Sequence, residues 1–257
     1  MPETRSQWWT RKCLLGANLA APVALLATRF QQPAVLAAAF VAHAAFAYAI
    51  VRPQCGWFGP VVTRFTPRGR EVWLTIDDGP AAEASERLAE ELQRRGVRAT
   101  FFVKGANLRA QTATAQRVLA AGHQLANHTE THPAGLFWWL RPAQLRQEID
   151  ACNSALQEAG VAVTRWFRPP VGLKHARLHP ALRARGMRLI AWSVRGGDGI
   201  ECEPAAVARR VAERAHPGAI VLLHEGRPRS NEAILGVIDA LQQRGFSFVI
   251  PEDEQLA

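Results

Sequence analysis

Two aspartates stand side by side in TIDDGP, residues 75–80, where an apolar run stops. Asp, Gly and Pro are all turn formers, so a turn accounts for the composition. It does not account for the adjacency, because neighbouring carboxylates repel each other. Other polar groups sit in similar settings: His128 and His132 in NHTETHP, Arg168 at the close of a short apolar run in RWFRPP, and His224 at the end of AIVLLH. Two imidazoles with three residues between them can face one way and chelate a single metal. Two imidazoles and one carboxylate leave coordination positions open for water and substrate, as a hydrolytic site requires. In a chain with 8 histidines that spacing alone arises readily by chance. The aspartate pair, the arginine and the terminal histidine are what give it weight.

Such groups need a scaffold that brings them together. After Pro60, short apolar runs alternate with amphipathic, arginine-rich stretches. EVWLTI, ATFFV, HQLAN, RWFRPP, MRLIAW, AIVLLH and FSFVI read as strands. EASERLAEELQRRG, ATAQRVLAAG, RPAQLRQEIDACNSALQEAG, HPALRARG, PAAVARRVAERAH and NEAILGVIDALQQRG read as helices, several closed by glycine and one opened by proline. Strand–helix alternation predicts a parallel sheet with covering helices. About seven such units in so short a stretch predict a barrel rather than two domains, with its chemistry at the C-terminal ends of the strands. Asp77, Asp78, His128, His132, Arg168 and His224 all fall at such ends. The expected fold is α/β, a deformed (β/α)7-type barrel over residues 61–257.

The formal net charge is +9, almost wholly from arginine. Nucleic acid, an anionic membrane surface or an anionic substrate can all call for such an excess. With no nucleic-acid module in the chain, no nucleic-acid partner is expected, and membrane or anionic substrate leads. Cys13, Cys55, Cys152 and Cys202 are scattered and suggest neither a disulfide framework nor a cysteine metal site. Residues 13–28 and 34–51 carry no charge and are separated by RFQQP. Both are slightly short for a span of about 20 residues but are apolar enough to be read as a helical hairpin over residues 1–60. Arg5, Arg11 and Lys12 precede it and Arg52, Arg64, Arg68 and Arg70 follow it, whereas the connecting turn carries only Arg29. That asymmetry favours both ends on the cytoplasmic side, with Trp8, Trp9, Trp57 and Phe58 at the interface. A signal peptide or single signal anchor is the rival, but the sequence offers no convincing small-x-small cleavage site followed by a polar mature start. A pair of buried helices in a soluble protein is the plainer alternative.

Taken together and in this order, TIDDGP, HTETH, RPPV and LLH resemble the motifs of the polysaccharide deacetylase family, the carbohydrate esterases with the NodB homology domain. The resemblance spans residues 72–250. It implies a deformed barrel that removes an N- or O-acyl group from a sugar with one divalent metal, zinc first, with cobalt, nickel or manganese as alternatives. By the same resemblance Asp77 corresponds to the catalytic base, and Asp78, His128 and His132 to the metal ligands. Arg168 corresponds to the arginine that pairs with the base, and His224 to the general acid. Such a metal would polarise the acyl oxygen and acidify its water while Asp77 takes the proton, and Arg168 would favour ionised Asp77. The backbone N–H of Val171 matches the family's oxyanion donor, and Leu222 the apolar lining for the acyl methyl. The implied partner is an acylated saccharide, polymeric, oligomeric or lipid-linked. With the hairpin, this places the protein in a bacterial inner membrane, the barrel on the cytoplasmic face. A silent carbohydrate-binding protein on the same barrel and a non-sugar amide hydrolase are the alternatives.

One departure stands out. Many family members carry Asp-x-x-Asp-aromatic after the penultimate strand, the first Asp supporting the acid histidine. Here Arg195 takes the first position, Asp198 keeps the second and Gly199 replaces the aromatic residue. An arginine against His224 would lower the histidine pKa, so either Asp198 or Glu225 supports it, or the donor is weakened. Arg195 can instead bind an anionic group on the substrate, such as a lipid-linked phosphate. His123 is expected to be structural, Asn127 to support the metal loop or simply shape a turn, and His175, His179 and His216 to be solvated. His43 lies in an apolar stretch with no evident partner. Trp138 and Trp139 either cover the cleft, touch the membrane surface or join the core.

Overall fold

The computed structural model describes residues 3–162, 165–200 and 203–256. Two long helices come first, α1 (Arg5–Ala27) and α2 (Pro33–Val51). There follow β1 (Glu71–Asp77), α3 (Glu83–Arg94), β2 (Ala99–Val103), α4 (Gly105–Ala110), α5 (Thr112–Ala120), β3 (Gln124–Asn127), α6 (Pro142–Glu158) and β4 (Trp166–Phe167). The chain continues with α7 (Leu178–Arg183), β5 (Arg188–Leu189), β6 (Val194–Arg195), α8 (Pro204–Arg214), β7 (Ala219–His224), α9 (Ser230–Gln243) and β8 (Ser247–Phe248).

All named strand pairings are parallel, in the order β5-β4-β3-β2-β1-β7-β6, with β8 beside the start of β1. The sheet curls into a deformed barrel but does not close: the end strands β5 and β6 do not pair with each other. Residues just after the hairpin occupy the seam. Val62 bridges to Ile190, and Arg64 bridges to Ala219.

Side chains alternate across a strand, so each strand is read by both of its faces. On β1, Val72, Leu74 and Ile76 join the outer core beneath the helices, while Trp73 joins the core inside the barrel. Thr75 and Asp77 therefore share the interior face with Trp73. On β7 the interior face is Ile220 and Leu222, and His224 continues it. Asp77 and His224 are register partners. The alternation thus delivers an acid and an imidazole side by side at the barrel mouth.

Among the described residues α2 alone is long and apolar enough to cross a membrane, with mean hydropathy 2.1 and only 17% of its apolar window buried. The sequence-based expectation of two such helices holds for one. The first third of α1 carries Arg5, Arg11 and Lys12, and Asn18 reaches across to the Ala42 carbonyl, 3.1 Å. Both ends of the hairpin dock on the barrel. Glu3 pairs with buried Arg11 at 3.2 Å and with Arg183 of α7 at 3.3 Å. Fully buried Lys174 donates its backbone N–H to the Ile50 carbonyl, 3.1 Å, and its ammonium to the carbonyls of Arg52 and Pro53.

Several expectations need correction. His175 and His179 are buried rather than solvated. His175 bonds the Leu140 carbonyl, 2.9 Å, and its other nitrogen accepts from the Arg177 N–H, 2.9 Å. His179 packs against Gly59, and burial pushes it down to about 3. Trp138 and Trp139 are exposed, and it is Phe137 that enters the core. His43 does have a partner, the Ala39 carbonyl one turn back, 2.7 Å. His123 is structural as expected, buried against the Ala89 carbonyl, 3.0 Å. Cys13, Cys55 and Cys152 are free, while Cys202 lies outside the described residues.

Candidate active site

The geometry at the barrel mouth separates the two aspartates. Asp77 is buried and accepts from Arg168 Nη1 at 2.6 Å. The guanidinium is fully buried and committed on every side. Nη1 also donates to Thr75 Oγ1 (2.9 Å), Nε to the Ile190 carbonyl (3.1 Å) and Nη2 to the Ala191 carbonyl (3.0 Å). It lies 4.1 Å from the centroid of the Phe102 ring, a cation–π contact. Burial lowers the arginine pKa, and the Asp77 carboxylate opposes that shift.

Asp78 turns the other way, because its backbone is left-handed (φ 82°). Its carboxylate oxygen and the imidazoles of His128 and His132 place one donor atom each within 4.8 Å of one another. His128 Nδ1 contacts the Arg168 carbonyl at 2.8 Å, which fixes that nitrogen as the N–H and leaves Nε2 with its lone pair free. Burial depresses both imidazoles, His132 to about 4, so His132 is neutral at physiological pH. For Asp78, burial raises the carboxyl pKa, but the neighbouring imidazoles and Lys104, 3.5 Å away, bring it below its usual value. One carboxylate and two neutral imidazoles suit a divalent ion such as zinc.

The loop that carries the histidines is held against its own preference. Thr129 (φ 71°) and His132 (φ 55°) are left-handed, as Asp78 is, at about 1–3 kcal/mol each for such non-glycine positions. Asn127 holds the loop, accepting from the Thr129 N–H (2.8 Å) and donating to the Ile149 carbonyl (2.9 Å). The Thr129 hydroxyl accepts from the His132 N–H (3.1 Å), and Glu148 from the Thr131 N–H (2.9 Å). Asn127 is thus a support of the loop rather than a bare turn former.

Asp198, not Glu225, partners His224. Its two oxygens face the imidazole Nδ1 (3.1 Å) and the His224 backbone N–H (2.6 Å). Burial works against the charged imidazole, but the Asp198 hydrogen bond and the Asp77 carboxylate outweigh it and raise the His224 pKa. Arg195 is exposed and does not displace this pairing. Glu225 points away, hydrogen-bonded to Ser85, and burial pushes it up to about 7. A Cβ on Gly79 would overlap the Glu225 carboxylate where it stands, so a larger residue in TIDDGP would have to displace that side chain.

Asp77, Asp78, His128, His132 and His224 line one cavity of about 250 Å³, walled by Val171, Trp192 and Leu222. Arg195 stands at its rim. Val171 is exposed and left-handed (φ 47°). Sequence reasoning missed Lys104, Trp192 and Arg227, whose Nη2 lies 3.7 Å from Asp78. Lys104 directly follows an apolar run and Trp192 closes one, the same signal that found the others. Arg227 follows no run and carries no such signal.

A parallel barrel with acids and imidazoles gathered at its strand ends is the layout of a barrel hydrolase, and comparison with known proteins specifies which. The polysaccharide deacetylase family profile matches residues 65–190. A chitooligosaccharide deacetylase from Bradyrhizobium is 33% identical over 192 residues, covering 69% of this chain and 87% of that protein. A family 4 carbohydrate esterase from Streptomyces lividans, solved in complex with acetate, superposes with a TM-score of 0.67 at 28% identity, covering 74% of this chain and 97% of the other. A family 4 pseudoenzyme from Bacillus anthracis superposes with the same TM-score at 29% identity, covering 74% and 66%. The chain belongs to the polysaccharide deacetylase family, and it is a hydrolase of that family.

Proposed function

We propose that the protein is a membrane-attached, divalent-metal-dependent hydrolase that removes an N-acyl group, acetyl or formyl, from an amino-sugar saccharide. The observation that carries this reading is the pairing of two acid–base groups across one cavity. Asp77 is held by Arg168, His224 is held by Asp198, and Asp78, His128 and His132 stand beside them. The chitooligosaccharide deacetylases among its relatives support a saccharide substrate.

A divalent ion on Asp78, His128 and His132, zinc first among candidates, would supply Lewis-acid polarisation of the acyl oxygen. The chain's own groups do the rest. Asp77 takes a proton from the attacking water, whose oxygen bonds to the acyl carbon. The Val171 backbone N–H donates to the developing oxyanion, and Leu222 lines the acyl methyl. His224, protonated, gives its proton to the amine nitrogen as the C–N bond breaks. The acyl group leaves as a carboxylic acid, which ionises in solvent, beside a free amino sugar, and the proton taken by Asp77 is exchanged through solvent to recharge His224.

Residues 1–60 serve as the membrane-associated hairpin and residues 61–257 as the barrel. The basic residues that flank the hairpin favour the cytoplasmic face. Acetate and formate release from acylated sugars by the purified, metal-loaded full-length protein tests the reaction, with Asp77→Asn as control. No release from any candidate sugar, with metal bound, would make the chain a binding protein. A reporter fused after Ala257 tests the orientation.

A further inference from the structure

Beside the catalytic cavity lies a second groove, of about 340 Å³, and the two share Val171, Trp192 and Arg195. Its charged lining is Arg52, Arg195 and Arg214, with no carboxylate. Among the described residues none of these three guanidiniums has a hydrogen-bond or ion-pair partner, and all three are exposed. Like charges converging on one groove repel, and elsewhere the protein pairs its arginines readily: Arg165 meets Asp253, and Arg185 meets Asp150. Three unpaired arginines around one concavity make a site for an anion with several acceptor oxygens.

Location narrows the anion. Val51 and Arg52 end α2, the helix apolar enough to cross a membrane, and Val51, Tyr48, Val41 and Phe40 along it are exposed. With α2 in a bilayer, Arg52 stands at headgroup height. At the other end of the groove, Arg195 also lines the catalytic cavity, one strand from Leu222, its register partner. The link between helix end and cavity is rigid. Lys174 holds the carbonyls of Ile50, Arg52 and Pro53, and Gln54 donates to the Trp192 carbonyl, 3.2 Å. Gly172 (φ 72°) packs so closely on Pro53 and Trp192 that a Cβ there would lie 2.7 Å from the proline ring and 2.6 Å from the indole.

We propose that this groove binds the phosphate of a membrane-borne, lipid-phosphate-linked amino sugar, so that the N-acyl group of the attached sugar falls into the cavity of Asp77 and His224. The inference rests on the deacylase reading and adds to it a substrate class and the residues that select it. Arg195 then has a specificity role: it joins the phosphate groove to the reacting centre.

The test uses the full-length protein in nanodiscs of phosphatidylcholine. It compares a polyprenyl-phosphate-linked N-acetylglucosamine, a nucleotide-diphosphate N-acetylglucosamine and neutral chitotetraose, each by equilibrium binding and by acetate release. The wild type is expected to bind the lipid-linked sugar most tightly. Arg52→Ala with Arg214→Ala should lower its preference for the lipid-linked over the neutral sugar by about 100-fold, roughly tenfold for each guanidinium–phosphate hydrogen bond removed. The double lysine variant should restore part of it. An unchanged preference in the alanine variant, with normal folding by circular dichroism, overturns the phosphate groove. Equal wild-type binding of the nucleotide sugar and the lipid-linked sugar overturns the membrane source. Asp77-dependent release from chitotetraose without any phosphate preference would sink this inference and leave the deacylase reading standing. Binding of the phosphate sugar without release from any substrate would do the reverse.

Discussion

Replacing Arg168 with methionine isolates what the buried ion pair contributes. The substitution keeps most of the side-chain stem and removes four hydrogen bonds at once. Asp77, 3% exposed, loses its 2.6 Å partner, and the carbonyls of Ile190 and Ala191 lose their donors. Removing one partner of a buried pair costs about 3–5 kcal/mol, because a charge is left uncompensated. The orphaned carbonyls add about 1 kcal/mol each, though such terms overlap rather than sum. A loss of about 4–5 kcal/mol is therefore expected, against a total stability that is typically about 5–15 kcal/mol. Adding Asp77→Asn to Arg168→Met should recover about 2 kcal/mol, since it removes the stranded charge. Urea unfolding of the metal-free protein in a neutral detergent, followed by tryptophan fluorescence, reads the effect without reference to activity. An Arg168→Met protein within about 1 kcal/mol of wild type would refute the reasoning, as would an Asp77→Asn addition that destabilises it further.

Asp198→Asn removes the charge that raises the His224 pKa. His224 donates only when protonated, so the high-pH limb of kcat/KM should move toward acid, and an unmoved limb would remove Asp198 from that role. His132→Ala leaves two donors of three and should weaken zinc binding at least about 100-fold, read by competition with a chromophoric chelator; unchanged affinity would place the metal elsewhere. Glu225 titrates at about 7 instead of 4.5 because it is buried. An acid whose folded pKa is raised holds its proton longer in the native state, so its contribution is present below pH 4.5 and is lost as pH rises through 7. Glu225→Gln should therefore make the protein more stable than wild type at about pH 8, by at most about 3 kcal/mol, with no gain at about pH 4. Equal stability on the alkaline side would mean that the carboxylate is solvated.

The strands of the barrel are legible in the sequence because each is a short apolar run with a polar break, and the position of that break locates most of the site. The different surroundings of Asp77 and Asp78 are legible in the sequence only through the family motif; in the structure they follow from pleat alternation, which turns Asp77 inward with Trp73 and Thr75. Short elements escape. β6 is two residues inside WSVRGGDG, and α4 is only 6 residues, too brief for a period to register. His175 and His179 are misplaced because a histidine beside a helix start reads as polar surface, whereas here both pack beneath the docked hairpin and the loop before α6. The partner of His224 stays open in the sequence because two acids, Asp198 and Glu225, are within reach, and only the loop's path decides between them.

The seam of the open barrel bears on how the protein can be handled. Val62 accepts from the Ala191 N–H (2.8 Å) and donates to the Leu189 carbonyl (2.9 Å), and the Phe65 N–H bonds the Gly218 carbonyl (3.0 Å). The strip from Val62 to Phe65 thus works as a zip for a sheet whose own edges never meet. A shortened protein without the two N-terminal helices must keep this strip and begin no later than Val61. A version that begins before Phe58 must also replace that residue, because its partners in the apolar patch, Ala49 and Ile50, leave with the helices. Cutting a few residues later would free two sheet edges at once, and unpaired parallel edges are where such a protein would start to aggregate.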